Sequence, residues 1–228
     1  RVQSVVKAIE PHDSVERYSG LGVECLAGTA RITGPWTVEV ALEGGGTQVL
    51  HTRNIVIAAG ARPFVPPIPG LQEANPLTSD TVWNLRVLPP RLVVLGGGPI
   101  GSELTQAFAR LGSKVTQVEM LPRLLVREDP EVSALVKRSF EADGVEVLVN
   151  HKAKQVLVEA GGKVLVVESE GVEKRLAFDE ILVAVGRVAN TAGYGLEELG
   201  IPVTKQRTVE VNEFLETPYP NIFACGDV

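Results

Sequence analysis

The run Gly96-Gly97-Gly98-Pro99-Ile100-Gly101 constrains this chain more than any other stretch. It holds Gly-x-Gly-x-x-Gly at positions 96, 98 and 101. Glycines are common, so such a match has weight only where a strand leads in and a helix leads out within a β-α-β unit. Both conditions are met: RLVVL (91–95) is a continuous apolar run, and PIGSELTQAFARLG (99–112) has helical spacing, with Ile100, Leu104, Ala107, Phe108 and Leu111 on one stripe. Each glycine then has a task. Gly96 permits the tight turn out of the strand, Gly98 lets a pyrophosphate approach the backbone, and Gly101 lets the helix press on the sheet. Gly97, Pro99 and Ile100 complete the loop, whose helix-start N–H groups face the phosphates.

The order continues. KVTQVEM (114–120) reads as the next strand. DPEVSALVKRSFEADG reads as a helix, with Asp129 at its cap, Pro130 in its first turn and Gly144 at its stop. VEVLVN follows as a third strand. This β-α-β-α-β order implies a parallel sheet with right-handed crossovers. Glu119 ends the second strand, 18 residues after Gly101, near the spacing of about 20 expected for the acid that binds an adenosine ribose. A carboxylate there accepts hydrogen bonds from both ribose hydroxyls and repels the 2′-phosphate of NADP, so the sequence favours NAD. Arg123, four residues on, is the one basic residue that argues for NADP. Glu103 is expected in the first turn of the glycine-loop helix, where a carboxylate suits the helix N-terminus.

Residues 1 to 62 read as β-rich, with strands at VQSVVKAI, GVECLAG, TVEVAL and TQVLHTRNIVIAAG, and a hairpin loop at Gly44-Gly45-Gly46. Pro63, Pro66, Pro67, Pro69 and Gly70 suggest a linker over 63–90, with LTSDTVWNL a short helix capped by Ser79 or Asp80. AKQVLVEAGGKVLVVESEGVEKRLAF reads as an antiparallel meander turning at Gly161-Gly162, and DEILVAVG as a returning buried strand. A net charge of −6 without a Lys/Arg cluster argues against nucleic acid. No apolar run reaches the roughly 18 residues that cross a bilayer, and no signal peptide opens the chain, so a cytoplasmic location is the default. Cys25 and Cys225 are too few for a disulfide framework or a four-cysteine zinc site. The ends, inside a strand-like run and at CGDV, suggest an internal piece of a longer protein.

Four motifs in the same order give a family resemblance that spans essentially the whole chain. They are IVIAAGARP (55–63), GGGPIGSELTQAFARLGSKVTQVE (96–119), ILVAVGRVANT (181–191) and TPYPNIFACGDV (217–228). Together they resemble the pyridine nucleotide–disulfide oxidoreductases, flavoenzymes that include dihydrolipoyl dehydrogenase, glutathione reductase and mercuric reductase. The resemblance implies an α/β fold. A Rossmann-like NAD-binding domain, a parallel sheet with helices plus an antiparallel meander, would occupy 89–205. Parts of a FAD-binding domain would lie at 1–88 and 206–228. It implies that Ala59, Gly60 and Ala61 touch FAD through backbone atoms, that Ala30 lies near the FAD adenine, and that Asp227 binds a flavin hydroxyl after a turn at Gly226. It also implies that Gly186 passes close to NAD and that Glu103 lies near the nicotinamide and flavin.

The implied parent is a homodimeric, FAD-dependent, NAD-linked disulfide oxidoreductase of dihydrolipoyl dehydrogenase or mercuric reductase type. The redox cysteine pair, the first FAD glycine motif and the acid/base pair of that family have no match in these 228 residues, so the chain alone is expected to be inactive, with no catalytic residue assigned. Ala189 stands where the family has proline, loosening that turn. Cys25 and Cys225 are read as structural, Cys225 as a small buried residue. His12, His51 and His151 are read as surface residues. The alternatives are a non-catalytic dinucleotide-binding or redox-sensing module, a flavin NADH oxidase, and a ligand-free remnant.

Overall fold

A computed structural model describes residues 2–159 and 161–228. The chain divides into two compact units, one formed by the chain up to Arg62 together with Val188–Val228, the other by Pro63–Arg187. The sequence reading places the divisions near 88 and 205 instead.

The first unit begins with two helices, α1 (Val2–Ile9) and α2 (Val15–Gly20). The strand expected at VQSVVKAI is a helix. Val2, Val5, Val6 and Ile9 recur at helical spacing, which outweighs the strand preference of valine. GVECLAG likewise forms no strand until Gly28. The strands β1 (Gly28–Gly34), β2 (Thr37–Leu42) and β3 (Thr47–His51) make an antiparallel sheet in that order, β2 and β3 joined across the glycine triplet. Next come β4 (Ile55–Ile57) and β5 (Ala61–Pro63).

The segment after β5 enters the second unit, and it is not a free linker. Leu71 and Ala74 are fully buried, with Val65 and Ile68 packed beside them. Its helix is one 3-10 turn, Val82–Asn84, with Thr81 at the N-cap position rather than Ser79 or Asp80. The central sheet then forms from β6 (Arg91–Leu95), α3 (Pro99–Leu111), β7 (Lys114–Val118), α4 (Pro130–Ala142) and β8 (Glu146–Leu148). Asp129 stands at the N-cap of α4 but makes no side-chain cap bond. The meander is β9 (Lys152–Glu159), β10 (Gly162–Ser169) and β11 (Val172–Phe178), antiparallel throughout. Ala160, next to the turn expected at Gly161-Gly162, lies outside the described residues. β12 (Glu180–Val183) returns beside β6, giving the parallel order β12-β6-β7-β8.

This sheet is covered on both faces. Val93, Leu95, Ile181 and Val183 pack with Leu165, Val167, Leu176 and Phe178 of the meander and with Leu71. Leu92, Val94, Val115 and Leu182 pack with Leu104 and Phe108 of α3 and Val136 and Phe140 of α4. Burial on two faces is why these strands read as unbroken apolar runs. Each such side chain contributes about 1.5–3 kcal/mol. The exposed edge of β12 is closed by Leu77, whose N–H donates to Ile181 O while Val183 N–H donates to Leu77 O, both at 2.8 Å.

Arg91 and Asp179 tie the starts of β6 and β12. The backbone N–H and Nε of Arg91 donate to Asp179 Oδ2 at 2.8 and 3.0 Å, and Nη2 donates to Oδ1 at 2.7 Å. The guanidinium hydrogen bonds hold the Asp179 carboxyl below its ordinary value. A depressed folded-state pKa adds stability that is complete above the unfolded value of about 4 and is lost as pH falls through the folded one. Asp179→Asn is therefore expected to lower the melting temperature at neutral pH. The gap to the parent chain should close in acid, as a melting series against pH would record. A constant gap at every pH would refute the assignment.

The chain leaves the second unit through β13 (Arg187–Ala189) and ends with β14 (Ile222–Ala224), which runs parallel to β4. Ile32, Ile55, Ile57, Leu196, Ile222 and Ala224 form the core of the first unit. Among the described residues no helix is long and apolar enough to cross a membrane.

Candidate dinucleotide site

The glycine turn connects the carboxyl end of β6 to α3 in the second unit. Gly96 has φ +111, and an added Cβ would overlap the Ala184 carbonyl, at the end of β12. Only glycine fits there. A Cβ on Gly98 would meet nothing within 4 Å, so the ground in front of the helix start is open. Gly98 is the N-cap of α3 and Pro99 its first residue, a position where the missing N–H costs nothing. Gly101, buried, lies against the Gly96 carbonyl.

The buried face of α3 is shifted from the expected stripe, of which Leu104 and Phe108 still pack on the sheet. Gly101, Ser102 and Thr105 are buried, while Ala107 and Leu111 are exposed. Small residues let the helix approach the sheet, and this places polar groups under the turn. Glu103 lies on the exposed side. It is the fifth residue of α3, beyond the first turn, which holds no acid.

Glu119 follows β7 directly. Its Oε2 accepts the Gly97 N–H at 2.6 Å, and its Oε1 accepts the Leu121 N–H at 2.8 Å. A carboxylate has about four acceptor positions, so two remain. Leu125 N–H donates to Gly97 O at 2.7 Å, bracing the turn from the next loop. Arg123 is already committed. Its Nη1 donates to Glu128 O at 2.6 Å and Ser133 Oγ at 3.2 Å, and its Nη2 to Val126 O at 2.8 Å. Gly186, with φ +139, follows β12, and its carbonyl accepts from Phe64 N–H at 2.9 Å. The turn, Glu119 and the 184–186 segment thus gather at the carboxyl end of one parallel sheet, where open α/β sheets bind ligands.

In the first unit, Ala59–Ala61 follow β4 and Gly226–Asp227 follow β14. Because β4 and β14 are parallel, both segments leave the same end of the pair. Gly226 has φ +82 and Gly60 φ +64. Ala30 lies elsewhere, in β1 opposite Val40. One residue of the ILVAVGRVANT motif to which the sequence reading gave no role is Asn190. Its Nδ2 donates to Ala59 O at 2.9 Å, its N–H to Gly60 O at 2.9 Å, and its Oδ1 accepts from Arg62 Nη1 at 2.9 Å. It holds the backbone of the segment expected to face FAD.

Both cysteines are exposed, contrary to the buried role expected of Cys225. Cys225 lies just past the end of β14, its N–H donating to Ile57 O at 3.0 Å. Ala189, expected to loosen its turn, is a buried residue of β13. His12 and His51 are exposed and His151 is half-buried. Among the described residues no group of three His, Cys, Asp or Glu could hold a metal.

Residues 3–228 match the family model described as pyridine nucleotide-disulphide oxidoreductase. The chain belongs to this family. It is 39% identical over 204 residues to the mitochondrial dihydrolipoyl dehydrogenase of Dictyostelium discoideum, an alignment covering 88% of this chain and 42% of that protein. It is 36% identical over 217 residues to the mercuric reductase of Streptomyces lividans, covering 93% and 46%. The solved structure of the HOCl-induced flavoprotein disulfide reductase RclA from Escherichia coli superposes with a TM-score of 0.78 at 33% identity, covering 88% of this chain and 44% of RclA. The chain thus spans less than half the length of these relatives. Members of the family use FAD and NAD(P)H.

Proposed function

We propose that the Pro63–Arg187 unit binds NAD(H), and that the chain serves a FAD-dependent, NAD-linked disulfide oxidoreductase of dihydrolipoyl dehydrogenase or mercuric reductase type. The observation that carries this reading is the glycine turn with open ground at Gly98 and the Glu119 carboxylate beside it. The pyrophosphate would lie against the turn and the N-terminus of α3, where helix-start N–H groups and the helix dipole favour anions. Glu119 would take the two ribose hydroxyls on its remaining acceptor positions. The engagement of Arg123 by two backbone carbonyls supports NAD over NADP, because a 2′-phosphate would have to draw it away.

For the flavin, Ala59, Gly60, Ala61, Gly226 and Asp227 are assigned as contacts, with Asn190 holding the 59–60 backbone in place. Ala30, Gly186 and Glu103 keep the roles that the family implies. The hydride chemistry is supplied by the cofactors when bound; the chain's residues bind and orient them. The parent protein is assigned as a homodimer.

Fluorescence titration of the chain with NADH, and with NADPH in parallel, tests the nucleotide assignment. Saturable binding with preference for NADH is expected. Glu119→Ala should weaken NADH by about tenfold and remove the preference, the scale of one lost charge-assisted hydrogen bond. Equal binding of the two nucleotides by the parent chain would overturn the role of Glu119.

A further inference from the structure

We propose that Gln117 is a positioning residue for the dinucleotide, gripping the Gly96–Gly97 peptide from beneath and so setting the place of Glu119. This rests on the NAD(H) reading above. Gln117 is fully buried in β7, on the strand face it shares with Val115. Its Nε2 donates to Gly96 O at 3.0 Å and to Ser102 Oγ at 3.4 Å. Ser102 Oγ in turn donates to Gly97 O at 3.4 Å. The carbonyls of both turn residues are therefore tied to one buried amide, directly and through a hydroxyl.

The geometry of a trans peptide turns this into aim. The C=O and N–H of one planar peptide point in opposite directions. With the Gly96 carbonyl held down by Gln117, the Gly97 N–H points away from it, and there it donates to Glu119 Oε2 at 2.6 Å. Two residues of one strand and its end, 117 and 119, thus hold the same peptide plane at its two poles. Glycine at 96 has no intrinsic preference for this φ of +111 over others, so the plane needs an external hold.

Packing alone does not explain a glutamine here. Its Oε1 is buried without a hydrogen-bond partner, as is Thr105 Oγ1 on the buried face of α3. An apolar side chain of similar size would remove that unsatisfied acceptor.

The test compares the 228-residue chain with its Gln117→Met and Gln117→Glu variants. For Gln117→Met, the melting temperature should stay within about 4 °C of the parent, while NADH affinity falls about fivefold and the preference over NADPH shrinks. For Gln117→Glu, a protonated carboxyl still donates to Gly96 O and an ionised one cannot. NADH affinity should therefore fall as pH rises across about 6 to 9, the range into which burial moves a carboxyl, while the parent stays flat. Unchanged affinity and preference in Gln117→Met overturn the proposal. If that variant does not fold, a flat pH profile in Gln117→Glu overturns it. If the parent itself binds no NADH, the NAD(H) reading fails first. Hydrogen exchange at the Gly97 amide then decides the grip, with faster exchange in Gln117→Met expected and equal exchange overturning it.

Discussion

Gly96→Ala is expected to abolish NADH binding and to destabilise the Pro63–Arg187 unit by about 3–5 kcal/mol. Two effects add. The residue has φ +111, where a side chain is strained in any surroundings, and the new methyl would overlap the Ala184 backbone oxygen. Neither β6 nor β12 can retreat easily, because Ala184 N–H donates to Leu95 O at 2.8 Å and both strands are buried on two faces. Relief would require breaking the parallel pairing or shifting the turn away from Glu119. Against a total stability of about 5–15 kcal/mol for an ordinary domain, the loss is severe. Urea unfolding together with NADH titration reads both consequences. Gly98→Ala makes the informative control: its methyl meets no atom of the chain, so the fold should hold while binding suffers. A Gly96→Ala chain that binds NADH and unfolds at the parent's midpoint would refute the close-packed account of the turn.

Leu71→Ala is expected to cost about 2–5 kcal/mol, the range for a leucine removed from a tight core. Leu71 is fully buried and packs with Phe178, Leu165 and Val93, although it lies between Pro69 and Pro76 in a stretch with no regular helix or strand of its own. Val87→Ala, in the same stretch but 78% exposed, should change stability by less than about 0.5 kcal/mol. Denaturant midpoints for the two variants separate a segment that belongs to the core from one that merely spans a gap. Equal effects would return residues 63–90 to the status of a linker.

That segment also marks how far the sequence could be read. Prolines and glycines report what the backbone cannot do; they say nothing about whether Leu71 and Ala74 find a core. The alternation of β6, α3, β7, α4 and β8 was legible because short apolar runs alternate with longer segments of helical spacing that open on Pro99 and Pro130 and stop at Gly112 and Gly144. The N-terminal helix was not, because valine carries strand preference while the spacing of Val2, Val5, Val6 and Ile9 carries helix, and the spacing prevailed. The glycine turn and Glu119 could be placed from spacing alone. The support beneath them was visible only as a polar residue at an inward position of KVTQV, a signal easily passed over in a short strand. Asn190 was visible as a member of the ILVAVGRVANT motif, but its role was not, since its partners Ala59, Gly60 and Arg62 lie about 130 residues earlier in the chain. The buried face of α3 could be drawn only in part from hydrophobicity: Leu104 and Phe108 do pack on the sheet, but close approach placed the small residues Gly101, Ser102 and Thr105 deepest.

The return of β12 to the side of β6 makes the nucleotide turn depend on a distant part of the chain. β6, β7 and β8 become neighbours soon after each is made, but β6 waits for a partner that is 88 residues away along the chain. Until residues 180–183 arrive, one edge of β6 is open, and the meander has no finished surface to settle on. The Ala184 carbonyl that confines Gly96 comes with the same strand. The nucleotide turn is therefore not confined on that side until this long-range pairing, a contact of the slow kind, has closed. Nucleotide that binds only the closed unit should therefore slow unfolding and leave the refolding rate unchanged, holding the completed unit rather than guiding the strands together.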